Sequence, residues 1–448
     1  MTGQIAQSEF AAIVGAAQVT TDQAACAALE VDGKVPQFII FPKTSEEVAA
    51  VLRCAAEHEL GVIPCRNGTK LAVGNPPRRY DVALSLKDMN RVWHYEPADL
   101  TITAEAGMKF GDFQHFVSRD GLWLPLDPPG GSRASLGGIV ATNACGPLRL
   151  GYGAPRDMVL GMKIATGEGK VVKTGGRVVK NVTGYDVGKL LIGSYGTLGV
   201  IVEASFKLFP LPRQRATFAI PVGTLGIGRD LRRRVLQSPL TPARMVLMDA
   251  GAVRMAASTP PGREAKEPEI WLEMAGSRRV IERCERELGE LAKASGVALR
   301  SVEPIEAEAA WARITDLRTC LPEPSLGAII LKVTLPDSAC EELISRAEQE
   351  AEGEKVRLAA FAQLGVGTVH ICVLGDSPAS GTINLVQRVR ASTEALGGAM
   401  VVERCPSSVK GQIDVWGAPK DDFDLMRKLK TLWDPKGILS PGRFVGCL

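Results

Sequence analysis

Glycine-rich loops set directly after short apolar runs constrain this 448-residue chain more than any other feature. Gly61-Val62-Ile63-Pro64 reads as a strand and opens into Arg66-Asn67-Gly68-Thr69-Lys70. A long loop at 127–153 holds Pro128-Pro129-Gly130-Gly131 and Leu136-Gly137-Gly138. Successive backbone N–H groups can cradle a pyrophosphate where no side chain blocks the approach. Gly68-Thr69, Gly130-Gly131-Ser132 and Gly137-Gly138 are candidate nests of this kind, and Thr142 and Asn143 add hydrogen-bonding side chains. Any one loop alone also reads as a plain turn. Together they suit a large dinucleotide in an extended pose.

The remaining pattern supplies a frame for these loops. Ile5, Phe10, Ile13 and Val14 are spaced as a short amphipathic helix. Phe38–Phe41 reads as a strand stopped by Pro42, followed by a helix capped by Thr44 with Glu47 as its capping-box partner. Thr101–Glu105 alternates like a half-buried strand, Lys109–Arg119 reads as a helix, and Thr166-Gly167-Glu168-Gly169 as a hairpin turn. Tyr185–Ile192 reads as a short helix and Val200–Leu208 as a strand. Beyond 212, charged helical patterns at 277–296, 338–353 and 380–397 alternate with strands at 269–275, 326–335, 356–362, 367–374 and 399–404. This pattern predicts an α+β layer in which helices cover one face of a sheet.

Composition removes several classes of function. Lys and Arg total 53 against 50 Asp and Glu, a net charge of +3, which is too balanced for an electrostatic nucleic-acid binder. No apolar run is long enough for a transmembrane helix. With no basic stretch before Lys34, the N-terminus does not read as a signal peptide, so the expected location is cytoplasmic, at most peripheral to a membrane. The ten cysteines contain no C-x-x-C pair, so iron–sulfur and zinc-ribbon spacings are absent and reduced thiols are expected. P-loop, G-x-G-x-x-G, G-x-S-x-G and H-E-x-x-H patterns are also missing.

The ordered motifs resemble the FAD-binding PCMH-type domain of vanillyl-alcohol-oxidase-like flavoproteins, and most closely the FAD-binding E subunits of glycolate oxidases. The carrying residues are Pro42-x-Thr44-x-x-Glu47-Val48, Pro64–Leu71, Ala134–Pro147, Thr174–Asp186, Gly193–Ile201 and the tail Asp434-Pro435-x-Gly437-x-Leu439-x-Pro441-Gly442-Arg443. The resemblance implies a two-subdomain FAD domain at 34–212 after a helical segment at 1–33, a ferredoxin-like α+β cap at 213–405, and a tail at 406–448 returning to the FAD domain. It implies FAD between domain and cap. The pyrophosphate would meet Arg66, Asn67, Gly68, Thr69 and Lys70. Gly137, Gly138, Ala141, Thr142 and Asn143 would line the ring and ribityl chain, and Gly199, Val200 and Ile201 the adenine half or ring edge. No histidine stands at the family's attachment position, so non-covalent FAD is expected. Cys65 and Cys145 read as packing residues.

The family's hydroxy-acid dehydrogenases carry a histidine-rich cap motif that is depleted here. The corresponding segments read Leu364-Gly365-Val366-Gly367-Thr368-Val369-His370 and Val402-Glu403-Arg404-Cys405-Pro406. One histidine and one glutamate fall short of a metal's ligand set, so no metal is expected. Arg318 and Arg443 are candidate carboxylate clamps and His370 a candidate proton acceptor. The resemblance implies a subunit oxidising small 2-hydroxy acids beside a second FAD-linked subunit and an iron–sulfur subunit. A stand-alone D-2-hydroxy-acid dehydrogenase and a non-catalytic scaffold stay open as alternatives.

Overall fold

The computed structural model describes residues 2–178, 184–256, 266–321, 327–374 and 379–448. The chain forms two compact units. The first comprises Met1–Cys145, Ala154–Leu211 and Ala418–Leu448; the second comprises Gly146–Gly153 and Pro212–Gly417. No helix among the described residues is long and apolar enough to cross a membrane.

The first unit holds strands β1 (Val19–Thr20), β2 (Phe38–Ile40), β3 (Val62–Cys65), β4 (Val82–Ser85), β5 (Val92–Glu96), β6 (Thr101–Glu105), β7 (Leu122–Trp123), β8 (Val159–Ala165), β9 (Val171–Gly175), β10 (Val200–Lys207) and β11 (Phe209–Pro210). One sheet runs β1-β2-β4-β3, with β2, β4 and β3 parallel. A second, antiparallel sheet runs β5-β6-β10-β8-β9, and β7 pairs with β11. The helix Ser45–Glu57 links β2 to β3 and buries Val48, Val51, Leu52 and Ala55 completely. Thr44 Oγ1 accepts from Glu47 N at 3.1 Å, as the capping box predicts. The Glu47 carboxylate accepts instead from Lys43 N, one residue before the cap. Strand β6 departs from the expected alternation, since Ile102 through Glu105 are all buried. Its buried polar residues are each partnered: Thr103 meets Ser205 at 2.8 Å, and Glu105 accepts from the exposed Arg91.

The second unit is one eight-stranded antiparallel sheet. Its strands are β12 (Gln214–Pro221), β13 (Arg244–Met248), β14 (Glu269–Gly276), β15 (Arg300–Val302), β16 (Ile329–Thr334), β17 (Arg357–Gln363), β18 (Thr368–Leu374) and β19 (Ala399–Arg404), in the order β15-β12-β14-β13-β17-β18-β16-β19. The order resolves into two ferredoxin-like β-α-β-β-α-β halves. In each half the first strand sits between the third and fourth. The two halves join where their second strands, β13 and β17, pair through Val246–Gln363 and Met248–Phe361. Sequence reading located β14 and β16 to β19 but missed β12, β13, β15 and the helices Leu225–Gln237, Ala250–Ala256 and Pro304–Thr315.

Helices lie against both faces of this sheet, not one. Helices Leu225–Gln237, Arg278–Ala294, Cys340–Glu354 and Ala379–Ala395 pack a core with Met245, Leu247, Ile270, Leu272, Ile371 and Val373. The intervening residues Val246, Met248, Trp271, Phe361 and Cys372 face the other way, under helices Ala250–Ala256 and Pro304–Thr315. These two helices are additions to the ferredoxin-like halves, one inserted between β13 and β14, the other between the halves.

Candidate functional site

Strand β3 ends at Cys65, and the chain leaves the sheet into the loop that begins at Arg66. That loop forms one wall of a cleft of about 890 Å³, open to solvent and within the first unit. A second wall is the helix Leu136–Thr142, capped by Ser135 Oγ accepting from Gly138 N at 3.2 Å. A third is the start of β10. Twelve of the thirteen residues expected to bind cofactor line this cleft: Arg66, Asn67, Gly68, Thr69, Lys70, Gly137, Gly138, Ala141, Thr142, Gly199, Val200 and Ile201. Asn143 does not. It ends the 136–142 helix in a left-handed conformation (φ 46°), and its buried Oδ1 has no hydrogen-bond partner among the described residues. The Gly130–Ser132 nest is a short 3-10 turn outside the lining.

The loop's chemistry fits a dinucleotide. Among the described residues the N–H groups of Asn67 and Gly68 have no hydrogen-bond partner, and both residues line the cleft. Gly68 has φ +68°, the left-handed turn that aims consecutive N–H groups to one side. Arg66 donates through Nε to Gly107 O at 3.2 Å and through Nη1 to Asn67 Oδ1, which holds a cation at the mouth of this nest. Its burial lowers its pKa, with Asp112 and Asp88 opposing. Ile63, Val73, Leu86 and Ala106 add apolar lining to the cleft.

Several glycines are required for another reason than cofactor approach. A Cβ at Gly137 would lie 2.8 Å from Ala106 Cβ, and one at Gly199 would lie 2.6 Å from Ile164 Cγ2. These residues let the helix and β10 close onto neighbouring strands. Only then does the backbone reach the cleft.

The C-terminal tail completes the wall. Leu439 bridges to Val62 in parallel, with Val62 N donating to Ile438 O and Ser440 N to Val62 O, both at 2.8 Å. Asp434 is 2 % exposed and accepts from Ile438 N, Leu439 N and the Lys430 ammonium. Lys430 Nζ also donates to the carbonyls of Thr197 and Leu439 at 2.8 Å. Ser440 and Arg443 thereby reach the cleft lining. Arg443 is buried, which pushes its pKa down to about 10 and still leaves it cationic at neutral pH. Its Nη2 donates to the carbonyls of Leu71 and Val73, so the residue proposed as a carboxylate clamp also ties the tail to the first loop. Sequence reading did not single out Tyr195, Ser440, Val73, Leu86 or Ala106 as lining. Tyr195 had a signal in its motif; the apolar strand-end residues had none.

Cys65 lines the cleft, and burial pushes its thiol up to about 12, which keeps it a poor nucleophile. Among the described residues no histidine lines the cleft. In the second unit, His370 is buried on β18, directly opposite Lys332 of β16 and Phe361 of β17. Lys332 Nζ lies 3.9 Å from Glu403 Oε1. The same sheet face carries a buried Arg244–Glu273 ion pair at 2.7 Å, with the Arg244 guanidinium 4.2 Å from the Trp311 ring centroid. The side chain of Arg318 lies outside the described residues, as do residues 179–183 of the Thr174–Asp186 motif.

Comparison with known proteins agrees with this geometry. The profile "FAD binding domain" matches residues 36–175, and the profile "FAD linked oxidases, C-terminal domain" matches 211–444. The chain is 26 % identical to glycolate oxidase subunit GlcD of Bacillus subtilis over 422 residues, covering 91 % of this chain and 89 % of that one. It is 29 % identical to a D-lactate dehydrogenase of Archaeoglobus fulgidus, covering 91 % of each. A 35 % identical match to D-2-hydroxyglutarate dehydrogenase of Stutzerimonas stutzeri spans 39 % of this chain and 37 % of that one. Substrate-bound p-cresol methylhydroxylase superposes with a TM-score of 0.80 at 18 % identity, covering 99 % of this chain and 96 % of that one. Alkyldihydroxyacetonephosphate synthase superposes with a TM-score of 0.78 at 16 % identity, covering 98 % and 86 %. The profiles, the shared fold and a cleft with dinucleotide chemistry agree: this chain belongs to the FAD-linked oxidase family, an α+β oxidoreductase whose cofactor is FAD.

Proposed function

We propose that this chain is the FAD-binding subunit of a complex that oxidises a small 2-hydroxy acid, with the electrons passing to a second FAD-linked subunit and an iron–sulfur subunit. The observation that carries this reading is that relatives named for glycolate and D-lactate align over 91 % of the chain. On this reading 34–212 binds flavin, 213–405 is the substrate cap, 406–448 secures the flavin site and 1–33 is a leading helical segment. FAD, when bound without a covalent link, supplies the acceptor for the hydride leaving the substrate α-carbon.

The chain's own groups have two tasks. Asn67 and Gly68 offer N–H groups to the pyrophosphate, with Arg66 as the cation beside them. His370 is the proposed acceptor of the hydroxyl proton, with Arg318 and Arg443 as the proposed carboxylate clamps. The relay is sparse. Glu403 already draws on Lys332, and Arg443 is engaged by two carbonyls. Such sparseness supports a subunit that turns over inside a complex.

The test is the flavin spectrum of the purified chain under anaerobic glycolate or D-lactate, alone and with partner subunits added. The expected result is bound flavin, little bleaching alone and turnover in the complex. Full turnover by the isolated chain would replace this reading with the stand-alone dehydrogenase, which the end-to-end alignment with the A. fulgidus enzyme supports. Flavin that never bleaches, even in the complex, would leave a scaffold role.

A further inference from the structure

Among the described residues, one cluster of ligand-type side chains lies outside the flavin cleft. The helix Thr2–Val14 packs on the helix Ser45–Glu57, anchored by fully buried Phe10, which meets Phe38 edge-on at 5.7 Å. Glu9, next to that anchor, projects toward Cys54 and His58. These are four residues apart and so share one side of the second helix and its C-cap. Glu9 Oε2 lies 2.7 Å from His58 Nε2 and 3.3 Å from Cys54 Sγ. One donor atom from each of the three residues lies within 4.8 Å of the others.

We propose that Glu9, Cys54 and His58 form a binding site for a zinc-class divalent cation, with the fourth position left to water. The donor set of one sulfur, one imidazole nitrogen and one carboxylate oxygen is what this ion class takes, at about 2.3, 2.0 and 2.1 Å respectively. Tetrahedral coordination at those bond lengths separates nitrogen from oxygen by about 3.4 Å and sulfur from oxygen by about 3.6 Å. The three groups therefore need to open by less than about 1 Å. The side chain that must swing is Glu9, which is 43 % exposed, while Cys54 is buried and fixed. His58 is 20 % exposed, which leaves the ion and its water a path from solvent. The ion ties the N-terminal helix to the first sheet's helix and takes no part in the flavin chemistry.

The test uses full-length, chelator-stripped protein and Co²⁺ as the probe, read as a difference spectrum against the same flavin-loaded sample. The expected result is one equivalent bound, with a thiolate-to-cobalt charge-transfer band and the strong visible bands of tetrahedral coordination, both displaced by Zn²⁺. Cys54→Ser should remove the charge-transfer band, and His58→Gln should weaken binding at least tenfold. Cys26→Ser, at a buried thiol elsewhere, should change neither. No band at several equivalents of Co²⁺ would overturn the proposal, as would a band unchanged in Cys54→Ser. If Cys54→Ser fails to fold, an unchanged Co²⁺ affinity in the His58→Gln variant, at a side chain 20 % exposed, overturns it independently.

Discussion

Gly137 and Gly68 line the same cleft but are glycine for different reasons. At Gly137 the neighbouring atoms decide, because an added Cβ would lie 2.8 Å from Ala106 Cβ. Overpacking of this kind costs about 1–3 kcal/mol. Gly137→Ala should lower stability to denaturant by that amount and weaken FAD binding as the 136–142 helix moves off Ala106. At Gly68 the backbone decides: φ is +68° and the nearest atoms to a Cβ are 3.9 Å away. Gly68→Ala should cost about 1–2 kcal/mol from the left-handed conformation alone. Asp249 gives a pH-dependent counterpart. Its carboxylate accepts from Ala252 N and Ala360 N, joining the Ala250–Ala256 helix to β17. Burial nevertheless raises its pKa from 3.8 to about 7, with Glu348 adding to the rise and Arg254 opposing it. A carboxyl held neutral in the fold stabilises fully below its unfolded value, and that contribution is lost as pH rises toward about 7. Relative to Asp249→Asn, the wild type should therefore lose several kcal/mol, on the order of 1.4 per pKa unit, between pH 4 and pH 7.5. Denaturant curves at the two pH values check the sign. A difference that does not change with pH would show that the group does not titrate in this range.

At the scale of elements, the tail is the clearest case of sequence and structure agreeing for a physical reason. Asp434-Pro435-x-Gly437-x-Leu439 is legible because Asp434 must satisfy two backbone N–H groups and a buried ammonium within five residues. Removing one partner of a buried pair costs about 3–5 kcal/mol, because the other charge is left uncompensated. Asp434→Asn should destabilise the protein by that order and loosen Ser440 and Arg443 from the cleft, raising the Kd for FAD in fluorescence titration. Lys430→Met should do at least as much harm, since it leaves the Asp434 carboxylate buried without its cation and the Thr197 and Leu439 carbonyls without their donor. The loops after β3 and before β10 were equally legible, since positive φ and tight packing leave glycine in the sequence. Strands β12 and β13 were not. The first begins Gln214-Arg215, and the second begins with Arg244, a charge whose partner Glu273 lies on another strand. A buried ion pair reads in sequence as two exposed residues. Lys332 opposite His370 was missed similarly, because register is a property of the folded sheet.

At the scale of the molecule, each unit has its own core, and among the described residues the cleft draws its lining from the first unit. The doubling of the ferredoxin-like half in the second unit left no motif to read. Such a half is specified by period-2 burial and two helices, which very different residues satisfy. Confining the lining to one unit has a thermodynamic consequence. A ligand that binds only the folded state stabilises it by RT ln(1 + [L]/Kd), about 2.7 kcal/mol at a hundredfold excess over Kd. On the proposed assignment, this energy enters through Asn67, Gly68 and the residues around Ser440. Native-state hydrogen exchange in saturating FAD should therefore slow at Val62 and Ser440, whose amides close the bridge between β3 and the tail. Ala360, whose amide donates to Asp249 within the second unit, should exchange at its FAD-free rate. A 2.7 kcal/mol gain corresponds to about a hundredfold slower exchange where opening is sub-global, which is easily resolved. Equal slowing at Ala360 would mean that the energy of flavin binding spreads to the sheet carrying His370, and the assignment of FAD contacts to the first unit would have to be redrawn.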